Sequence, residues 1–463
     1  MNTPRANRLH IGIFGRRNAG KSSLINALTG QKLAIVSDTP GTTADPVYKS
    51  MELHPIGPVV FIDTAGFDDE GELGQLRVEK TRGIISRTDV AIMVIDGTAP
   101  LLELEYERSW MTQLKNAKIP TITVINKWDA PDDEKRAEIL RTARNILSAK
   151  NLFGAADTHS GIATGKSKST AAGPDSAGSG SKSQSGTSNT GGEIVIPLSA
   201  KTGDGIDALR RALQDALPEE YMQDKILGEL LEDGSLVLLV MPQDIQAPKG
   251  RLILPQVQTL RELLDRKCTV MSTTTDGYAK ALAALNRAPD LIITDSQCFG
   301  EVYAQKPESS ALTSFSILMA ASKGDIHVFA DGVSAIDDAL QKAAEQQESP
   351  SAESALFRVL IAEACTHVPL NEDIGTIKIP RLLQKTFGDR VDITSVRGGD
   401  FPDVSGLKQY DLIIHCGACM FNRRHVMSRI AAAQEAGVPI TNYGIFLAKM
   451  TGILDKVSLP SNR

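Results

Sequence analysis

RLHIGIFGRRNAGKSSLINALTG, residues 8 to 30, decides how the N-terminal half of this chain is built. An apolar, β-branched run (8–14) passes directly into GRRNAGKS (15–22), and a helical pattern starts at Lys21. The spacing Gly15, Gly20, Lys21, Ser22 fits the GxxxxGK[ST] phosphate loop, in the strand–loop–helix context that motif needs. Gly15 and Gly20 let the backbone curl so that successive N–H groups of the loop, through Asn18 and Ala19, point at anionic oxygens. Lys21 neutralises β/γ-phosphate charge, Ser22 is placed to ligate Mg²⁺, and Ser23 continues into a helix whose positive N-terminal end favours phosphate.

Outward from this loop the pattern repeats. VVFID (59–63), VAIMVID (90–96), TITVIN (121–126) and IVIPLSA (194–200) are short, nearly continuous apolar runs, as expected of buried parallel strands. Helical patterns lie between them, including 101–118, so the N-terminal unit reads as a doubly wound α/β domain. The strand ends carry the chemistry. Asp63 of DTAG is placed as a Mg²⁺ group, and Gly66 as a γ-phosphate sensor. Asn126, Lys127 and Asp129 form NKWD, where a carboxylate can accept the N1–H and amine hydrogens of guanine, which adenine cannot offer. Ser199, Ala200 and Lys201 form SAK, where the Ala200 N–H can meet guanine O6. PGTTAD (40–45) offers Thr42 or Thr43 to complete the Mg²⁺ shell, with Thr43 preferred. Phe67 stands after DTAG and cannot orient an attacking water as a glutamine there would. The set resembles the Era and MnmE-like group of small GTPases. That resemblance implies K⁺ at Asn18, standing in for an arginine finger; an ordinary loop-capping role is the alternative.

A chain of 463 residues is too long for one core, and two to three domains are expected. Its 41% hydrophobic and 23% charged residues are those of a soluble globular protein. A net charge of -6 argues against a nucleic-acid binder. No apolar run approaches a membrane span and no signal-peptide core precedes the first strand, so a cytoplasmic location is expected, where thiols stay reduced. From Ala155 to Gly192, 17 of 38 residues are Ser or Gly. That composition predicts a disordered insertion inside the first unit.

Three domains are expected: 1–218, 226–310 and 311–463, the last two being smaller α/β units with mainly parallel sheets. A helical connector (219–232) leads into LVLLVMPQD (236–244), and the second unit includes DLIITDSQ (290–297). The third begins near Leu312. It includes a helical run at 338–349, stopped by Pro350, and strands at 355–364, 391–396, 410–416 and 438–444. Cys365 follows the first of these strands, and Cys416 and Cys419 form C-x-x-C at the end of the third. Ligands bind at the carboxyl ends of strands in open α/β sheets, so these cysteines are expected to meet. Three thiolates with His367 and His415 nearby allow either an iron–sulfur cluster or a zinc site. His425 reads as a helix residue, and Cys268 and Cys298 as ordinary thiols. The basic run Asn422-Arg423-Arg424-His425 is either a solvated helix face or a patch attracting anionic cargo or an acidic partner.

C-x-H, then H-C-x-x-C, behind an N-terminal GTPase, resembles the HydF family of [FeFe]-hydrogenase maturation GTPases. The segments MPQD, APKGRLILPQ and TDSQ are similar to that family's dimerisation domain. The resemblance implies GTP/GDP with Mg²⁺, and a [4Fe–4S] cluster on Cys365, Cys416 and Cys419. His367 and His415 are candidates for its fourth ligand. It further implies a homodimer, and a diiron precursor received from two radical-SAM maturases and delivered to apo-[FeFe]-hydrogenase. The competing reading is an RNA-linked GTPase with a structural metal domain; a redox enzyme is weaker, because no flavin or dinucleotide motif accompanies the cysteines.

Overall fold

The computed structural model describes residues 5–30, 47–53, 56–64, 83–99, 104–147, 194–218, 225–242, 252–348, 356–364 and 373–460. Thr42, Thr43, Gly66, Phe67, Pro350, Cys365, His367 and the Ser/Gly-rich segment lie outside the described residues.

Three sheets carry the fold. The first has the order β2-β3-β1-β4-β5-β6, with β1 (Leu9–Gly15), β2 (Val47–Leu53), β3 (Gly57–Asp63), β4 (Val90–Asp96), β5 (Thr121–Asn126) and β6 (Ile194–Pro197). All its pairs are parallel except β2 with β3. Helices α1 (Lys21–Thr29), α2 (Glu105–Asn116), α3 (Asp133–Leu147) and α4 (Ile206–Asp215) connect these strands. β1 and β4 are buried along nearly all their length, which is why their sequences show no alternation.

The second sheet, β10-β9-β7-β8, is all parallel: β7 (Leu236–Val240), β8 (Thr269–Thr273), β9 (Leu291–Thr294) and β10 (Ala311–Ser314). Its helices are α5 (Leu254–Asp265), α6 (Tyr278–Ala283), α7 (Phe299–Ala304) and α8 (Phe315–Lys323). The third sheet, β12-β11-β13-β14, is also all parallel: β11 (Phe357–Glu363), β12 (Val391–Arg397), β13 (Leu412–His415) and β14 (Ile440–Asn442). With it go α9 (Ile326–Gly332), α10 (Ala335–Glu348), α11 (Ile379–Phe387), α12 (Val404–Leu407), α13 (Arg423–Ala436) and α14 (Tyr443–Met450). The architecture is therefore the expected one, a P-loop domain followed by two parallel α/β units. Among the described residues no helix is long and apolar enough to cross a membrane.

Two expectations are corrected. The boundary at 310/311 falls too early, because β10 hydrogen-bonds to β9 and α8 follows it directly, packing on both the second and the third units. The connector 219–232 is not helical over its described part. Residues 225–232 form turns, and the Glu262 carboxylate accepts the Ile226 and Leu227 amides (2.6 and 3.2 Å), so a side chain from α5 satisfies groups a helix would have used.

The second and third units share a core. Leu238, Val240 and Ile292 pack in one cluster with Val359, Ile361 and Ile413, and α8 contributes Ile317, Ala320 and Ala321 to it. Phe315, Leu318 and Met319, also on α8, belong to a separate cluster inside the second unit. α9 lies close against β14: a Cβ on Gly332 would stand 2.1 Å from the Ile440 carbonyl oxygen. Gly332→Ala therefore forces backbone to move, at about 1–3 kcal/mol. A lowered thermal midpoint by calorimetry is expected, and an unchanged one would show that this contact is not tight.

Candidate functional site

The phosphate loop leaves β1 where the chain switches from pairing with β3 on one side to β4 on the other, the usual place for a ligand in such a sheet. Gly20 takes φ +88°, and a Cβ there would lie 2.2 Å from Asn126 Nδ2. Asn18, exposed in the loop, is also left-handed (φ 61°). Lys21 Nζ turns back onto the Gly15 and Arg16 carbonyls, both at 2.8 Å. Ser22 Oγ donates to Asp63 Oδ2 at 2.8 Å, which brings the two expected Mg²⁺ groups together.

The base-side motifs converge through one residue. Asn126 is 2% exposed; its Nδ2 donates to the Ala19 carbonyl (2.9 Å) and its Oδ1 accepts the Ala200 N–H (3.0 Å). Phosphate loop, NKWD and SAK are thus tied at one amide. The Ala200 N–H reaches a base oxygen only by sharing or leaving that bond. Ser199 Oγ donates to Asp129 Oδ1 at 2.7 Å, a bond that holds the exposed Asp129 carboxyl below its usual range. Lys127 has φ 60° and pairs with Asp96 at 2.6 Å. A cavity of about 750 Å³ is lined by Gly20, Ser23, Asn126, Asp129, Ala200 and Lys201, among others. Sequence reasoning missed Asp96 and Glu107. The signal for Asp96 is a second apolar strand ending in aspartate. Glu107, on α2, pairs with Arg16 of the loop at 2.8 Å and carries no comparable mark.

At the other end, β11 and β13 are neighbours with Ala362 opposite His415, again at a switch point. Cys416 follows β13, and its Sγ accepts the amides of Ala364 (3.1 Å) and Ala418 (3.4 Å). Ala364 is the residue before Cys365 in sequence. Burial pushes the Cys416 thiol up to about 11, against the lowering effect of those two amides. Cys416 and Cys419 are both outside any disulfide. Two thiols on one short loop, with amides aimed at sulfur, fit a sulfur-ligated cluster.

His415 is corrected from candidate ligand to support. Its ring is fully buried, Nδ1–H donates to the Cys416 carbonyl (2.8 Å), and Nε2 accepts from Arg429 (3.0 Å), so neither nitrogen is left for a metal. Burial, and then Arg429, lower it to about 3, which keeps it neutral. Arg429 also donates to the Gly398 carbonyl and lies between the Phe401 and Phe421 rings, 4.6 Å from each centroid. The basic run at 422–425 is corrected too, because its groups are engaged by neighbouring backbone and side chains, the two arginines half-buried. Asn422 Nδ2 donates to the Arg87 carbonyl (2.9 Å) and to Asp89 (3.1 and 3.2 Å), across the seam with the first unit. Arg423 donates to the Ser322 and Gly324 carbonyls, Arg424 to those of Ala117 and Lys118, and His425 stacks on Phe421.

The fold and both loops define a P-loop GTPase domain followed by two joined parallel α/β units. Comparison with known families agrees. Residues 10–127 match a family described as 50S ribosome-binding GTPase, residues 226–324 the hydrogen maturase F dimerization domain, and residues 353–460 the hydrogen maturase F tetramerization domain. The chain belongs to the hydrogen maturase F (HydF) family, with a GTPase domain at its front. The second match runs to 324, past β10 and α8. Among curated relatives, GTPase Der of Sulfurimonas denitrificans is 33% identical over 30% of this chain and 28% of its own length. The tRNA modification GTPase MnmE of Neisseria gonorrhoeae is 31% identical over 44% of this chain and 34% of its own. This chain thus spans about a third or less of those relatives. A solved structure of Aquifex aeolicus Era aligns at 17% identity and a TM-score of 0.33, covering 60% of this chain and 98% of that one.

Asn126→Ala removes the donor to Ala19 and leaves the Ala200 amide without its acceptor, costing about 1–3 kcal/mol. Thermal unfolding should show a destabilised GTPase domain even without nucleotide. An unshifted transition would mean that Asn126 does not hold the two loops together.

Proposed function

We propose that this chain is a GTP-hydrolysing iron–sulfur scaffold that holds a diiron precursor on its third unit and delivers it to apo-[FeFe]-hydrogenase. The observation that carries the reading is the Cys416–Cys419 loop at a sheet switch point, with amides bonded to sulfur, in a chain whose first unit is a GTPase domain. Cys365, Cys416 and Cys419 would hold a [4Fe–4S] cluster, which supplies the iron face on which the diiron cargo is carried. Two radical-SAM maturases would supply that cargo, and the matched assembly domains support a homodimer or larger oligomer as the working form.

In the first unit, Lys21 leaves the Gly15 and Arg16 carbonyls to meet the β/γ-phosphates. Ser22 and Asp63 hold Mg²⁺ together with Thr43, and Gly66 follows the γ-phosphate. Asp129, oriented by Ser199, reads guanine, and Lys127, Ala200 and Lys201 complete the base site. Asn18, exposed and left-handed, is the residue assigned to K⁺. The Asn422 seam to Asp89 and Arg87 supports a contact between the nucleotide and cluster halves. The engagement of Arg423 and Arg424 inside the fold weighs against an RNA-binding face.

Lys21→Ala is expected to lower GTP hydrolysis at least about a hundredfold while iron content stays at the wild-type level. Iron loss in that variant would show that the two sites do not stand independently. Cys416→Ser is expected to abolish cluster assembly and spare GTP hydrolysis; normal iron content there would remove Cys416 from the ligand set. The reading as a whole is tested by anaerobic transfer. Reconstituted protein is loaded with a diiron precursor, freed of unbound complex and mixed with apo-hydrogenase, and hydrogen evolution is measured. Activity that disappears with each cysteine variant supports delivery, whereas no activity from cargo-loaded protein overturns it.

A further inference from the structure

α8 carries a single charged residue, Lys323, at its C-terminal end, and that side chain is buried. Its ammonium donates to three carbonyls of the thiolate loop in the third unit: Ala418 (3.2 Å), Cys419 (3.2 Å) and Phe421 (2.7 Å). Burying an ammonium is costly unless its donors are met, and an ammonium has three to meet. The loop returns the arrangement. Arg423 donates to the Ser322 (3.2 Å) and Gly324 (2.9 Å) carbonyls on either side of Lys323, at the negative end of α8. Each unit thus meets carbonyls of the other with a cation, the Ala418 carbonyl also accepting the Phe421 amide (3.0 Å).

The clasp bears on the sulfurs. Ala418 is a non-glycine residue at φ 52°, a conformation that persists only where its surroundings hold it. Lys323 thus holds the peptide planes on the C-terminal side of Ala418, whose own amide, on the preceding plane, donates to Cys416 Sγ at 3.4 Å. Hydrogen bonds to cluster sulfurs and nearby positive charge both favour the reduced state and tighten binding.

We propose that Lys323 of the second unit is a positioning residue for the iron–sulfur site: its ammonium holds the 416–419 loop in the shape that presents sulfur and amide together, and so sets how firmly the cluster is retained and at what potential it is reduced. This rests on the reading of Cys416 and Cys419 as cluster ligands. It makes the second unit part of the metal site rather than an assembly surface alone.

The test uses full-length protein, reconstituted anaerobically, as wild type, Lys323→Met, Lys323→Arg and Cys416→Ser. Three quantities are read: the rate at which a chelator strips iron, the midpoint potential by redox titration followed by electron paramagnetic resonance, and GTP hydrolysis as a check of folding. Lys323→Met is expected to lose iron about 10–100-fold faster and to be reduced at a more negative potential, with GTP hydrolysis unchanged. Lys323→Arg keeps the charge but replaces three tetrahedral donors with a planar fork, so it should fall between the two. Equal loss rates and potentials in wild type and Lys323→Met, with Cys416→Ser free of iron, overturn the role of Lys323 and leave the ligand reading standing. A cluster retained by Cys416→Ser removes the ligand reading itself, and this inference with it. Where Lys323→Met does not fold, Lys323→Arg decides, and identity with wild type on both readouts overturns the proposal.

Discussion

A helix without a polar face must be covered on every side, and α8 (FSILMAASK) is such a helix. Phe315, Leu318 and Met319 face the core of the second unit, whereas Ile317, Ala320 and Ala321 join the core that includes the third sheet. The approach is close enough that a Cβ on Gly444, at the start of α14, would stand 2.7 Å from Ile317 Cγ1. Pulling the units apart would expose one side of α8 and break the paired clasps of Lys323 and Arg423. Two sheets that read as separate domains by their strand patterns are thereby fixed as one body, and the thiolate loop inherits its geometry from that joint.

The phosphate loop and the thiolate loop solve the same topological problem. Each lies at the carboxyl edge of a parallel sheet where strand order reverses, between β1 and β4 in one case and β11 and β13 in the other. They are linked by few but directed bonds. Asp89 accepts the His10 amide at the start of β1 (2.8 Å), and the strand ends at the phosphate loop; the same carboxylate accepts from Asn422, three residues beyond Cys419. A tenfold change in partner affinity needs about 1.4 kcal/mol of differential interaction. Hydrogen bonds to a charged group are of that order, about 1.5–3 kcal/mol. A shift of residues 87–89 that made or broke the Asn422 contact therefore has enough leverage to matter without any large domain rotation.

The parts of this arrangement that were legible in the sequence are those set by short covalent spacing. GRRNAGKS, NKWD, SAK and C-x-x-C each bring their residues together within one turn of chain, and the buried strands beside them announce themselves by unbroken apolar runs. What was hidden is of two kinds. β2, β8 and β10 are short or partly exposed strands whose residues (VYKSMEL, TVMST, ALTS) mix polar with apolar, and missing β10 moved the domain boundary. The other kind is competition for atoms. His415 and Arg423 have the right residue type beside the right motif, but a sequence does not show that both ring nitrogens, or the guanidinium, are already engaged by neighbouring groups. Lys323 lies 95 residues before Ala418, at the end of an apolar helix, where a lysine reads as an ordinary C-terminal cation.

Two buried cations support the thiolate loop through its backbone carbonyls. Lys323 binds the loop's carbonyls directly. Arg429 acts through neutral His415, which passes a hydrogen bond on to the Cys416 carbonyl. Burial lowers Arg429 to about 10, so it remains charged at neutral pH, and its two flanking aromatic rings replace part of the hydration it has lost. Replacing these groups with apolar ones would spare the desolvation cost, but it would take the Lys323 donor from the Cys419 and Phe421 carbonyls and remove positive charge from beside the two cysteines. On the proposed reading, a cluster on three cysteines would be anionic, and charge placed behind the backbone would steady it while leaving the sulfur side of the loop to the ligands and their cargo, as a carrier, unlike a closed structural zinc site, would require.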